Sequence, residues 1–135
     1  MIVDTHCHLN FILFREDLPE VLQNAKAAGI NRMVVPAIDI ETSREIVALT
    51  QIFPEIFAAV GIHPNEADNF TPDNINTLRV LAGEKMVVAI GEIGLDNYHQ
   101  WQPCDVTCGY HCFCVVFGFR FKPQFIIYRS SLCIN

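Results

Sequence analysis

Val87-Val88-Ala89-Ile90-Gly91-Glu92-Ile93-Gly94-Leu95-Asp96 is the stretch that decides how this chain is read. Four apolar residues in succession, without polar alternation, suit a strand covered on both faces, as in parallel sheets packed under helices. Such a strand has no structural need for the Glu92 carboxylate at its end, whereas a metal or a substrate would. The first strand-like run, Ile2-Val3-Asp4-Thr5, ends in the same way, leading into His6-Cys7-His8 with its two imidazoles. These two strand ends are expected to meet in space.

Between them the chain alternates strand and helix. After Ile2 to Thr5 a polar turn leads to a helix from Leu18 to Gly29, with Asp17 as its cap, Pro19 in its first turn and Gly29 at its end. Arg32-Met33-Val34-Val35-Pro36 is the second strand. Thr42 and Glu45 have capping-box spacing ahead of Ile46, Val47, Leu49 and Ile52, a helix stopped by Pro54. Ile56 to Gly61 forms the third strand and runs into Ile62-His63-Pro64. Thr71-Pro72-Asp73 opens a third helix with Ile75, Leu78, Val80 and Leu81 on its apolar face, closed by Gly83, and Met86 to Gly91 is the fourth strand. Strands recurring every ~25–30 residues with helices between them are a βα repeat, and right-handed crossovers make all four strands parallel.

In such sheets and barrels the chemistry lies at the carboxyl ends of the strands. His6, His8, His63 and Glu92 all fall there. Residues i and i+2 of an extended segment share a face, so His6 and His8 project together, roughly 6–7 Å apart at the backbone. Two neutral imidazoles and a carboxylate form a partial ligand shell for a borderline divalent ion, with open positions for a water or a phosphoryl oxygen. Each residue also has a plainer reading: strand-end histidines, a salt-bridged Glu92, and a loop histidine at His63. Asp4 and Asp96 are either loop acceptors or partners that orient a ligating histidine. It is the shared placement at one end of successive strands that favours a site.

Composition narrows the function. With 135 residues, 51% of them hydrophobic and 18% charged, and a net charge of −6, the chain is of globular character. An acidic chain does not bind nucleic acid through bulk charge, so contact with phosphate needs a metal ion or a local basic patch. The averages conceal a break. Residues 1–100 hold six Lys/Arg and fourteen Asp/Glu, while residues 101–135 hold three and one. Cys7 stands alone in the first part, whereas Cys104, Cys108, Cys112, Cys114 and Cys133 crowd the second. No secretory signal follows Met1, so the expected compartment is the cytoplasm, where a disulfide framework is disfavoured.

Three segments carry a resemblance to a known family. Asp4-Thr5-His6-Cys7-His8-Leu9, Ala59-Val60-Gly61-Ile62-His63-Pro64 and Ala89-Ile90-Gly91-Glu92-Ile93-Gly94-Leu95-Asp96 resemble the TatD family of metal-dependent deoxyribonucleases, over residues 1 to about 106. The resemblance implies a (β/α)₈ TIM-type barrel and a divalent-metal phosphodiesterase acting on DNA as an exonuclease, with Mg, Mn or Zn as cofactor. It implies metal-ligand roles for His6 and His8, a metal-bridging carboxylate at Glu92, a site-lining and catalytic place for His63, and a supporting place for Asp96. The mechanism it implies is attack on a phosphodiester by a water activated beside the metal.

The chain also departs from that pattern. The family carries two further histidines and an aspartate downstream, on a barrel of about 250 residues. His111, in Tyr110-His111-Cys112-Phe113, matches neither histidine motif. The expected architecture is therefore the N-terminal part of the barrel, about four βα units and truncated, over residues 1–106, followed by a Cys- and Phe-rich segment at 107–135 that does not match. That segment lacks helical periodicity, holds five of the ten phenylalanines and reads as strand-prone, the expected product of an aberrant end to the reading frame. Its cysteines lack C-x₂-C pairing for zinc, and its apolar run is too short to span a membrane. Two alternatives to the nuclease follow: a non-catalytic fragment retaining part of a metal site, and a metal-dependent amidohydrolase relative.

Overall fold

Runs that are apolar on both faces become the strands of one sheet. The computed structural model describes residues 2–95 and the short strands at 112–113 and 116–117. Strands β1 (Ile2–Asp4), β2 (Ile30–Pro36), β3 (Ile56–Val60) and β4 (Val87–Ile90) alternate with helices α1 (Leu18–Ala27), α2 (Ile40–Ile52) and α3 (Pro72–Ala82). The four strands lie side by side in chain order, all parallel, as the repeat predicts. Met33 to Pro36 pair with Ile56 to Ala59, and Ala59 and Val60 pair with Ala89 and Ile90. This is the arrangement expected of the first four βα units of a (β/α)₈ barrel.

Alternation along the strands divides the apolar residues into two layers. Met33, Val35, Ala37, Ile56, Ala58, Val60 and Val87 pack beneath the helices with Leu18, Leu22 and Ile46. Val34, Ala59, Val88 and Ala89 form a smaller cluster on the opposite face, with Phe57 against it. The helices thus cover one face of the sheet, and mostly small side chains lie on the other.

Several local readings change. Asp17 stands at the head of α1 but makes no side-chain cap. In α2 the cap is Asp39, not Thr42: Thr42 N donates to Asp39 Oδ1 at 2.7 Å, while Thr42 Oγ1 accepts from Asp39 N at 3.0 Å. Asp39 takes the extended backbone a cap needs, which moves the helix start three residues earlier and makes Thr42 the returning partner. At α3, Leu78 and Leu81 pack on the core but Ile75 and Val80 are exposed, because the helix presents only a narrow stripe to the sheet. The turn after β1 is not polar; it holds the short 3₁₀ helix Ile12–Phe14 and exposes Phe11, Ile12 and Leu13.

Beyond β4 the parallel pattern gives way. β5 (Gly94–Leu95) pairs antiparallel with β6 (Cys112–Phe113), and β7 (Val116–Phe117) lies antiparallel along β4, Ala89 opposite Phe117. Among the described residues, the outer edge of β1 has no strand partner. Asp96, His111, the boundary expected near 106 and 107, and the cysteines at 104, 108, 114 and 133 lie outside the described residues. Among those described, no helix is long and apolar enough to cross a membrane.

Candidate metal centre

The segment after β1 stays extended because Cys7 is pinned to the neighbouring strand: its N–H donates to Val34 O at 3.3 Å and its thiol contacts the same carbonyl at 3.6 Å. With Cys7 directed into the core, His6 and His8 are left on the other side together. Their Nε2 atoms lie 3.2 Å apart, with the rings nearly perpendicular. Burial, reinforced by the Asp4 charge, pushes the Cys7 thiol up to about 12, so it is a packing group and not a thiolate ligand. Asp4 accepts from the His6 backbone N–H at 3.0 Å, which makes it a loop acceptor that shapes the backbone. Phe11 stacks on His8 at 4.8 Å between centroids and 12° between planes. Sequence reasoning missed this contact, since nothing in the spacing of Phe11 marks it.

Glu92 is delivered from the far side of the sheet. Gly91 N donates to Val60 O at 2.9 Å and Glu92 N to Ala37 O at 2.8 Å, across a cis Gly91–Glu92 peptide. His63 N donates to Ile38 O at 2.6 Å, so the ends of β2, β3 and β4 are stitched into one floor. His6 Nε2 lies 2.9 Å from Glu92 Oε1, and His8 Nε2 lies 3.9 Å from the same oxygen. His63 Nε2 lies 3.8 Å from the other oxygen, Oε2. The ring of His63 is not simply a loop side chain: it heads the short 3₁₀ helix Pro64–Asn69, where Nδ1 accepts from Asn65 N–H at 3.1 Å. That bond leaves the ring proton on Nε2, facing Glu92. Side-chain exposure falls from 34% at His6 to 13% at His63 and 6% at Glu92, so the cluster opens on the His6 side.

Protonation follows from this geometry. Burial would raise the Glu92 carboxyl, but the His6 hydrogen bond and the charges of His6, His8 and His63 outweigh it and hold it below its ordinary value. Burial lowers His8, against the raising effect of Glu92 and of the Pro36 carbonyl. At neutral pH the cluster therefore presents a carboxylate and a neutral imidazole, the forms that bind metal.

Both shifts weaken the metal-free fold in acid, and the sign is the same for each. Below about 6.5 an unfolded His8 takes up a proton that the folded one refuses, so stability declines from there down to the depressed folded value. The Glu92 contribution is full above its ordinary value near 4.5 and is lost as pH falls through the lower folded one. Urea midpoints of metal-free protein measured from pH 8 to pH 2.5 are expected to fall in these two stages, and His8→Gln to remove the first. A midpoint that is flat from pH 7 to pH 5 would show that His8 is not buried as described.

Ligand atoms from His6, His8 and Glu92 all lie within 4.8 Å of one another, and His8 Nδ1 is buried without a hydrogen bond of full geometry. A tetrahedral ion with bonds of about 2.0–2.1 Å has ligand atoms ~3.3 Å apart. Two of the three separations, 3.2 Å between the imidazoles and 2.9 Å from His6 to Glu92, are close to that edge and the third, His8 to Glu92, is longer at 3.9 Å, so these residues fit a small divalent cation once His8 draws in by about half an ångström.

Residues 3–108 match the family model described as TatD related DNase. The chain is 37% identical over 106 residues to the "Uncharacterized metal-dependent hydrolase YabD" of Bacillus subtilis, covering 78% of this chain and 42% of that protein. It is 36% identical over 83 residues to the "3'-5' ssDNA/RNA exonuclease TatD" of Cronobacter sakazakii, covering 62% of this chain and 32% of that protein. Among solved structures it superposes on YjjV, a TatD homolog from Escherichia coli, with a TM-score of 0.67 at 34% identity, covering 73% of this chain and 39% of the other. The chain spans about two fifths of the length of YabD and of YjjV. A parallel βα sheet, a strand-end cluster of two histidines and a glutamate, and a family match over most of the sequence agree: the chain belongs to the TatD-related DNase family.

Proposed function

We propose that this chain binds a divalent cation through His6, His8 and Glu92, and that the site serves hydrolysis of phosphodiester bonds in nucleic acid, working from a strand end. The observation that carries the reading is the convergence of those three side chains within 4.8 Å at the carboxyl ends of two strands. Support comes from relatives described as metal-dependent hydrolases and as 3'-5' ssDNA/RNA exonucleases. The net charge of −6 fits as well, since an acidic chain needs a cation to hold a phosphate. Two imidazoles and one carboxylate suit Mn²⁺ or Zn²⁺, and Mg²⁺ where more waters remain.

The two oxygens of Glu92 have different tasks. Oε1 faces His6 and His8 and would join them in holding the cation; Oε2 faces His63. When bound, the cation supplies Lewis acidity and a lowered pKa for water beside the phosphate. His63, with Nδ1 fixed by Asn65, offers its Nε2 proton to a nonbridging phosphoryl oxygen and keeps the pose of the phosphate. His8 is held in plane by Phe11, which limits the reorientation that binding requires.

Nucleotide release from single-stranded DNA is the test, with purified protein and added Mg²⁺ or Mn²⁺, beside a His6→Ala/His8→Ala variant and a calorimetric metal titration. Metal-dependent release that the double variant abolishes is the expected result. Metal binding without release would confine the chain to a cation-binding role, and absence of both would remove the proposal.

A further inference from the structure

We propose that Gly61 and Ser43, neither of which reaches the cluster, are positioning residues that set where the Glu92 carboxylate stands relative to His6, His8 and His63. The inference rests on the metal-centre reading above. Gly61 directly follows β3, and its Cα faces the peptide that presents Glu92. A Cβ placed there would lie 2.7 Å from the Gly91 carbonyl carbon, 2.8 Å from its oxygen and 2.9 Å from Glu92 O. These are backbone atoms and have no rotamer by which to withdraw, so any side chain at 61 pushes the 91–92 segment away from β3. That segment is otherwise held by Gly91 N to Val60 O and Glu92 N to Ala37 O.

Ser43 fixes the opposite side of Gly61. It is fully buried in α2, and its Oγ accepts from Gly61 N–H at 3.2 Å while donating to Asp39 O at 2.7 Å. A hydroxyl inside an apolar helix–sheet interface is unfavourable unless both of its capacities are used, and here both are spent on the site's scaffold. The chain of contacts runs from the capped first turn of α2, through Ser43, to Gly61, and across the close approach to Glu92. His63, two residues after Gly61, is carried by the same strand end. Displacing Gly61 therefore shifts Glu92 and His63 relative to the two histidines after β1, which are anchored elsewhere through Cys7.

The test uses the full chain with Gly61→Ala, Ser43→Ala and, as a packing control one turn further along α2, Ile46→Val. Two signals are read. Co²⁺ titration gives affinity and a ligand-field spectrum. Ring ¹⁵N resonances of the metal-free protein report the His6 Nε2 contact with Glu92. Gly61→Ala is expected to weaken Co²⁺ binding by about 10-fold or more, alter the spectrum and move the His6 resonance. Ser43→Ala should act in the same direction by a smaller factor, and Ile46→Val should change neither signal. Wild-type affinity, spectrum and His6 resonance in a folded Gly61→Ala variant would overturn the proposal. If that variant does not fold, the same outcome in Ser43→Ala overturns it. Should the wild type bind no Co²⁺, the metal reading itself fails, and the metal-free resonances alone decide whether Gly61 and Ser43 position Glu92.

Discussion

Glu92→Gln is expected to lower the affinity for Mn²⁺ or Zn²⁺ by at least ~100-fold and to lower the neutral-pH stability of the metal-free protein modestly. The two halves of this expectation have separate causes. Among the described residues the carboxylate is the only anionic member of the proposed ligand set, and its Oε1 is the atom that both His6 and His8 approach. An amide of the same shape keeps the contact with His6 but removes the charge that offsets the cation. In the metal-free fold Glu92 is a buried carboxylate whose desolvation cost is outweighed by the His6 hydrogen bond and the neighbouring imidazoles. Replacing it removes the desolvation cost but also the larger favourable contacts, so a neutral isostere gives up that difference and the metal-free protein is modestly less stable at neutral pH. Calorimetric titration combined with urea unfolding checks both halves. Unchanged affinity would show that the cation is not held by this carboxylate, and a large loss of metal-free stability would show that Glu92 is structural first.

Ile56→Ala is expected to cost about 2–5 kcal/mol of unfolding free energy, the largest stability effect of any single substitution considered. Ile56 opens β3, is fully buried, and packs in the layer between sheet and helices with Val35, Ile46 and Val87. Truncation leaves a void where a strand paired on both sides cannot shift to fill it. For a domain of about 100 residues each kcal/mol moves the thermal midpoint by roughly 4–8 °C, so a drop of about 10 °C or more is expected. Thermal and urea unfolding followed by circular dichroism measure it. A cost below ~1 kcal/mol would mean that this layer is loosely packed at Ile56 and the helices do not close over it.

The parts of the fold that could be read in the sequence are those where local pattern and burial agree. β2 and β3 stood out because Met33 to Pro36 and Ile56 to Val60 are apolar on both faces, and both are buried on both faces in the structure. The pairing of His6 with His8 followed from two-residue periodicity alone. Helix starts were harder, because Asp39 and Thr42 are both good caps and only the backbone conformation at Asp39 distinguishes them. Ile75 and Val80 have helical spacing, yet they are exposed, since spacing does not say how much of α3 the sheet reaches. The meeting of Glu92 with residues nearly ninety positions earlier depends on strand order, which the βα repeat supplied. The tautomer of His63, the stacking of Phe11 and the buried hydroxyl of Ser43 arise from tertiary contacts that leave no mark on residue spacing.

The outer edge of β1, unpaired among the described residues, bears on the lifetime of an ion in the proposed centre. β3 is hydrogen-bonded on both sides, and β4 lies beside it, so the floor bearing His63 and Glu92 belongs to the slowest-exchanging part of the sheet. β1 is three residues long and, among the described residues, is held to the sheet only by β2. His6 and His8 therefore ride on the segment that detaches first. In the proposed centre, detachment of β1 alone would remove two of three ligands at once without melting the rest, so ion release is expected to follow the local opening of one short strand and not global unfolding. By the same linkage a bound ion protects the amides of β1 far more than those of β3.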